Sequence, residues 1–133
     1  MKILLIQPDT NQKLVGFTSM VRPEPLALEI VAASVPEHEV RILDLRIDPT
    51  LDSTLASFKP DLVGVTGYTI NVPRMKEICR LTKEFDPRIT TVVGGYHASL
   101  CPHDFDHSFI DVIAVGEGEM TFRELVTAIE DRH

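Results

Sequence analysis

Short apolar segments alternate along the chain with longer amphipathic ones, which is the pattern of a parallel β-sheet covered by helices. The apolar segments predict five strands, at 2–7, 39–45, 61–66, 89–93 and 110–115. The first segment is apolar at nearly every position, as expected for a strand buried on both faces. Apolar residues at helical spacing predict helices after strands one, two, three and five, and a short turn near 98–103 follows strand four.

Capping residues mark several of the predicted helix ends. Asp48-Pro49 predicts an N-cap followed by a first-turn proline, and Asn71 is a candidate cap for the third helix. The sequence Thr121-Phe122-Arg123-Glu124 has the form of a capping box and predicts the start of the last helix there. The third helix is expected to bury a face that includes Cys79 and Phe85.

These elements predict a single domain over residues 1–133. The predicted fold class is α/β, with a five-stranded parallel sheet in the flavodoxin-like (Rossmann-like) order 2-1-3-4-5 and helices on both faces. In such sheets ligands bind outside the carboxyl ends of the strands, near the switch between strands one and three. The loops at that edge are therefore the first place to look for function.

The loop after strand one is unusually long, running from about Pro8 to Arg22. It contains apolar side chains, among them Leu14 and Phe17, which either cover the edge of the core or lie against a flat ligand. The sequence leaves these alternatives open.

The other three loops at this edge each contain glycine. Thr66-Gly67-Tyr68-Thr69 follows strand three, Gly94-Gly95-Tyr96-His97 follows strand four and Gly116-Glu117-Gly118-Glu119 follows strand five. Paired glycines allow either close approach of a ligand or a tight turn with positive φ. The last loop resembles the opening of a dinucleotide fingerprint, but it follows the final strand and Thr121 stands where a third glycine is needed. Together the loops predict a wide, shallow site for a bulky ligand with a tail.

Composition narrows the classes of partner. The 133 residues carry a formal net charge of −7, which argues against a nucleic-acid backbone or an anionic membrane surface as partner. No apolar run approaches the roughly 18 residues of a membrane span, and no signal peptide is evident. Two cysteines do not make a disulfide framework, so a cytoplasmic location is expected.

Several specific chemistries find no support in the residues. A phosphoacceptor domain needs an acidic pair after strand one and an Asp ending strand three, and no P-loop pattern occurs. His97, Cys101, His103 and His107 carry zinc-binding groups, but their spacing matches no structural-zinc pattern and predicts an exposed loop instead. Cys79 is expected to be a small core residue.

With these segments in view, the chain resembles the N-terminal cobalamin-binding domain of cobalamin-dependent radical S-adenosylmethionine (SAM) enzymes. The resemblance covers essentially the whole chain, and its most specific segments are Val93-Gly94-Gly95-Tyr96-His97-Ala98 and the stretch from Asp111 to Glu119. It implies a corrin ring on the carboxyl edge of the sheet and a nucleotide tail beside strands one and three. The cofactor-binding residues expected from the resemblance lie in the four loops: Pro8, Asp9, Thr10, Asn11, Gly16, Phe17, Thr66, Gly67, Tyr68, Thr69, Gly94, Gly95, Tyr96, His97, Gly116, Glu117, Gly118 and Glu119.

The resemblance further implies that Thr66 and Tyr68 border the tail, and that Gly94 and Gly95 give it room. Gly116 to Glu119 would form the rim that faces the next domain.

Two departures from related patterns refine this expectation. Many cobalamin-binding methyltransferase domains carry Asp-x-His-x-x-Gly after strand one, whereas Asp9-Thr10-Asn11 places Asn in the histidine position. No residue of this chain is therefore predicted to ligate cobalt. The Cys-x-x-x-Cys-x-x-Cys motif of the radical enzymes is also missing from the sequence, so the 4Fe-4S cluster and SAM are expected only in a downstream or partner domain.

The expected function is to present cobalamin to a radical SAM catalytic domain, in the same chain or in a partner, with methyl transfer as the implied reaction. The chain is expected to be the N-terminal part of a longer enzyme and not catalytic by itself. Two alternatives remain open: a flavodoxin-like interaction or sensor domain without cobalamin, and a nucleotide or flavin binder. The oligomeric state is not predicted.

Overall fold

The computed structural model describes residues 1–9 and 25–132 of the chain. They form a five-stranded, wholly parallel sheet in the order β2-β1-β3-β4-β5, which confirms the predicted fold class. The strands are β1 (Lys2–Gln7), β2 (Glu39–Asp44), β3 (Leu62–Thr66), β4 (Thr90–Gly94) and β5 (Val112–Ile113). The helices are α1 (Leu26–Ala33), α2 (Leu51–Phe58), α3 (Val72–Phe85), α4 (Tyr96–Leu100) and α5 (Gly118–Asp131), with 3₁₀ turns at Thr69–Asn71 and Pro102–Phe105.

The sheet has a separate hydrophobic core on each face. Alternate side chains of β1 point to opposite faces, so Leu4 and Ile6 join the core beneath α2 and α3, whereas Ile3 and Leu5 join the core beneath α1 and α5. The first core is the larger and includes fully buried Phe58. The second core is smaller, and the candidate site lies on its side of the sheet.

Strand β5 is shorter than the predicted 110–115. Val112 and Ile113 pair with β4, and the backbone N–H groups of the flanking Asp111 and Ala114 donate to the carbonyls of Thr91 and Val93. On one side the Asp111 carboxylate accepts the Thr91 N–H at 2.9 Å. On the other side the chain turns at Gly116, whose φ is 87°.

Two predicted helix starts are wrong. Helix α2 begins after Thr50, and the Asp48 carboxylate instead accepts the Thr50 hydroxyl at 2.8 Å. Helix α5 begins at Gly118 with Glu117 as N-cap, so Thr121 lies inside the helix and the capping-box prediction fails. The sharp turn at positive-φ glycine fixes that start more strongly than a capping sequence can.

The third helix agrees with its prediction except at its ends. Asn71 is the N-cap residue of α3, but its side chain accepts the backbone N–H of Tyr68 at 2.9 Å and caps no N–H of the helix. Cys79 is fully buried as expected, and burial raises the pKa of its thiol to about 12. Phe85, predicted to face inward, is the last helical residue and is 47% exposed.

Candidate cofactor-binding site

A cavity of about 660 Å³ lies between the sheet and helices α1 and α5, at the carboxyl edge of the strands. Its volume falls within the range of about 300–1,000 Å³ that is usual for small-molecule sites. The walls come from β1, β3, β4, both helices and the segment between β5 and α5. Apolar side chains and glycine backbone make up most of the lining, so the cavity suits a flat, weakly polar group.

Small residues on neighbouring strands create this space. Gly64 and Gly94 line the cavity from β3 and β4, and Ala114 lines it from the position directly after β5. A Cβ added at Gly64 would lie 2.9 Å from Cδ2 of Leu5, and one added at Gly94 would lie 3.6 Å from Cβ of Ala114. Larger residues such as Phe122 fill the same face closer to the core. These three residues form a cradle: a side chain at Gly94 would enter the cavity, and one at Gly64 would press on Leu5, which also lines it.

Helix α1 supplies the opposite wall. Its residues Ala27, Leu28, Ile30 and Val31 line the cavity, although only Leu28 among them is fully buried. Ile30 is 45% exposed. The apolar stripe of α1 therefore faces the cavity more than it faces a filled core.

The loop before α5 and the first turn of that helix form the rim. The cavity mouth is lined here by Gly116, Glu117, Gly118, Glu119 and Met120. Met120 is 70% exposed. Glu117 is the N-cap residue and Glu119 lies in the first turn, where an acid is favourable because the helix end carries partial positive charge. The predicted rim residues are thereby brought to the mouth of one cavity.

Gly95 also borders the cavity, but its own role is in packing. Its φ is 97°, and an added Cβ would collide with Oγ1 of Thr66 and approach the backbone of Gly67. Because no other residue accommodates that approach, Gly95 lets the loops after β3 and β4 touch. Gly94 provides the room in the cavity, whereas Gly95 holds the two loops together.

A second group of predicted residues lies at the same edge but does not line the cavity. The rings of Tyr68 and Tyr96 lie 6.2 Å apart, and the residues are 69% and 61% exposed. Thr69 and His97 are joined by a hydrogen bond of 3.0 Å, which links the loop after β3 to that after β4. Gly67 is buried, and a Cβ there would meet Asn71.

The residues after β1 are only partly described. Pro8 is buried, and the Asp9 carboxylate accepts a hydrogen bond of 2.7 Å from the guanidinium of Arg74 on α3. That bond ties the start of the loop to a helix. The other predicted residues of this loop, Thr10, Asn11, Gly16 and Phe17, lie outside the described residues.

Another cavity, of about 770 Å³, opens at the amino edge of the sheet. Its lining mixes acidic and basic side chains, including Lys59, Asp61, Asp86 and Arg88. We favour the carboxyl-edge cavity, because parallel α/β sheets bind their ligands there and because its apolar floor is built from small residues.

Within the part of the chain that the structure describes, no helix is sufficiently long and apolar to cross a membrane.

Comparison with known proteins defines the class of domain. Residues 12–126 match the model of the B12 binding domain family, B12 being cobalamin, and the chain belongs to that family. It is 33% identical over 136 aligned positions to an uncharacterized methyltransferase of Pyrococcus horikoshii, covering 97% of this chain and 29% of that protein.

Two further relatives are shorter matches. A cobalamin-dependent radical SAM methyltransferase of Streptomyces tokunonensis, TokK, is 39% identical over 70 residues, covering 51% of this chain and 10% of that protein. An anaerobic magnesium-protoporphyrin IX monomethyl ester cyclase of Rubrivivax gelatinosus is 36% identical over 78 residues, covering 57% of this chain and 14% of that protein. The chain thus spans less than a third of the length of each of these relatives.

Proposed function

We propose that the chain binds cobalamin, with the nucleotide tail of the cofactor in the cavity between the sheet and helices α1 and α5. The observation that carries the proposal is the cradle formed by Gly64, Gly94 and Ala114, which leaves an apolar space on a sheet face that is otherwise filled. The benzimidazole base that ends the tail is flat and apolar, and fits that chemistry. Membership of the B12 binding domain family supports the same assignment.

The size of the cavity limits how much of the cofactor enters it. The corrin ring with its amide side chains is much bulkier than the tail base, so it would remain outside, at the carboxyl edge. Tyr68 and Tyr96 are exposed at that edge and offer apolar ring faces with polar hydroxyls. Gly116 and Glu117 would then lie where the tail leaves the cavity.

We also propose that no histidine of the chain ligates cobalt. His38 lies beside the amino group of Met1, at the opposite edge of the sheet. His97 does not line the cavity, and its ring is enclosed by Thr69, Asp104 and Phe105. With the tail base held in the cavity, the cofactor's own nitrogen would be withheld from the metal as well.

In a complete enzyme, the domain would serve as the N-terminal cofactor carrier of a radical SAM protein, or would act on such a domain in trans. Bound cobalamin supplies a methyl group carried on cobalt, while the iron–sulfur cluster and SAM would belong to the partner domain. The name of one relative, a cobalamin-dependent radical SAM methyltransferase, supports a partner of this kind. The part played by this chain's residues is to hold and orient the corrinoid.

The test compares two corrinoids that differ only in the tail. The chain is incubated with hydroxocobalamin or with cobinamide, which lacks the nucleotide, and cobalt per chain is counted after gel filtration. We expect near-stoichiometric retention of cobalamin and much weaker retention of cobinamide. Equal retention of both would contradict the placement of the tail, and a folded protein that retains neither would contradict cobalamin binding by this chain.

The alternative ligands are tested in the same format. Flavin mononucleotide and adenosine monophosphate are titrated against the chain, and neither is expected to bind or to compete with cobalamin. Tight binding of either one in place of cobalamin would assign the cavity to nucleotides instead.

A further inference from the structure

Three metal-binding side chains lie close together outside the residues that line the cavity. The ligand atoms of His97, Cys101 and Asp104 all lie within 4.8 Å of one another. His97 lies in α4 and Cys101 is the C-cap residue of that helix, where the Cys101 N–H donates to the His97 carbonyl at 2.8 Å. Asp104 follows in the 3₁₀ turn 102–105. The stretch of eight residues 97–104 thus brings its three possible metal-ligand atoms close together.

The imidazole of His97 is held in a fixed orientation. The residue is buried, and Nε2 donates to Oδ2 of Asp104 at 2.7 Å. On the other side of the ring, Nδ1 lies 3.0 Å from the hydroxyl oxygen of Thr69. The ring of Phe105 packs edge-on, with centroids 5.9 Å apart. Histidines that bind metals are characteristically oriented in this way, by a hydrogen bond from the nitrogen that does not face the metal.

We propose that His97, Cys101 and Asp104 form a zinc-binding site, with Thr69 as the group that orients the histidine. Imidazole nitrogen, thiolate sulfur and carboxylate oxygen are the ligands that Zn²⁺ prefers, whereas Mg²⁺ and Ca²⁺ favour oxygen alone. His103 approaches only the other carboxylate oxygen of Asp104, with its Nε2 3.8 Å away, so water would complete the coordination of the metal.

The protons balance without a further reactant. In the metal-free chain the Nε2 proton of His97 lies between the ring and Asp104. On zinc binding that proton moves to Nδ1, which then donates to the Thr69 oxygen, so Nε2 and the carboxylate become free to bind the metal. The thiol of Cys101 releases one proton to solvent as it becomes a thiolate.

Neighbouring residues of the same types do not belong to the cluster and provide controls. His107 stacks on the ring of Phe109, with centroids 4.9 Å apart and planes 5° apart. Asp106 follows the 3₁₀ turn and is exposed. Cys79 is fully buried, with its thiol pKa raised to about 12 by burial, and supplies no thiolate at neutral pH.

The test uses the 133-residue chain free of cobalamin, titrated with Co²⁺ as a spectroscopic probe and then with Zn²⁺. We expect a thiolate-to-cobalt charge-transfer band with ligand-field bands of a four-coordinate ion, all abolished by one equivalent of Zn²⁺. Cys101→Ser should remove the charge-transfer band, and Asp104→Asn should weaken Zn²⁺ binding. Thr69→Val should weaken it by about 10- to 100-fold, as loss of an orienting partner does.

The controls Asp106→Asn and His107→Gln should bind Zn²⁺ as the unchanged chain does, and circular dichroism checks the fold of every variant. The proposal is overturned if the unchanged chain gives no thiolate band, or if Asp104→Asn binds Zn²⁺ as tightly as Asp106→Asn. If Cys101→Ser does not fold, the band of the unchanged chain and the Thr69→Val affinity decide. Because no corrinoid is present, a negative result here leaves the proposed cobalamin function untouched.

Discussion

Replacing Gly94 by valine separates the role of the cavity from the stability of the fold. Gly94 ends β4, where it pairs with Thr66 of β3, and it is not one of the glycines with positive φ. An added Cβ would lie 3.6 Å from Cβ of Ala114 and 3.9 Å from its carbonyl oxygen, which is ordinary van der Waals contact. The Cβ is therefore accommodated by the protein, and the two methyl groups of valine would project into the space assigned to the nucleotide tail.

The two expected effects have opposite signs. Glycine in a strand costs roughly 0.5–1 kcal/mol relative to alanine, and each methyl-sized group buried in the cavity contributes about 0.8 kcal/mol. The free energy of unfolding without cofactor should therefore stay the same or rise by about 1 kcal/mol. Crowding the bound tail costs about 1–3 kcal/mol, which corresponds to roughly 5- to 150-fold weaker cobalamin binding.

The assay measures cobalamin affinity by visible titration and stability by urea unfolding, for Gly94→Val and for Thr90→Val as the matched control. Thr90 lies on the same strand and the same sheet face, but at the amino edge, where it lines the other cavity. Thr90→Val should leave the affinity unchanged. If Gly94→Val folds and binds cobalamin as tightly as Thr90→Val, the tail does not lie over Gly94 and the reasoning is refuted.

Three further predictions follow from single contacts. Gly95→Val should destabilise the fold itself, because its Cβ would collide with Thr66 and its φ of 97° disfavours a side chain; a native unfolding midpoint would contradict this. Burial acts to raise the pKa of Asp111, but hydrogen bonds from Lys83 and from a backbone N–H outweigh it and lower the pKa. The stability from that carboxylate should therefore be complete above its unfolded pKa of about 3.9 and be lost as the pH falls through the lower folded value. Asp111→Asn should accordingly lower the unfolding free energy by about 1 kcal/mol at pH 7 and by less at pH 3, and an equal loss at both would contradict the ion pair. Electron paramagnetic resonance of bound cob(II)alamin should show no nitrogen superhyperfine splitting, and a splitting that ¹⁵N-histidine labelling alters would identify a protein ligand.

The fold could be predicted from the sequence because its strongest signals are local. The apolar run of β1 and the alternation of strands with helices predict a parallel sheet covered on both faces. The order 2-1-3-4-5 is the common one for such a domain, and the structure has it. The errors lie at element ends, where tertiary contacts decide. The turn at Gly116 starts α5 earlier than the sequence around Thr121 suggests, and Asp111 limits β5 by hydrogen-bonding to Thr91.

The candidate site was predicted only at its rim. Loop residues such as Thr66 and Gly94 were identified by their place at the carboxyl edge, and they do line the cavity. The floor was missed, because Gly64 and Ala114 lie within segments that look like ordinary strands. A glycine inside a buried strand was the available signal, since it marks a place where something approaches the backbone closely. The approach of Asp104 to His97 depends on the turn after α4 and had no comparable signal.

Because the two faces of the sheet are unequally filled, the stability of the protein, and with it the amount of protein in the cell, depends on the ligand. Helix α1 buries a single residue fully, Leu28, whereas α3 buries four. Local opening of α1 and α5 therefore needs less free energy than opening of the other face. A ligand in the cavity at 100 times its dissociation constant would add about 2.7 kcal/mol to the stability of the closed form. In a cell with little cofactor, helices α1 and α5 would be open, and therefore accessible to proteases, for a larger fraction of the time. The amount of this protein would then follow the supply of corrinoid even with an unchanged rate of synthesis.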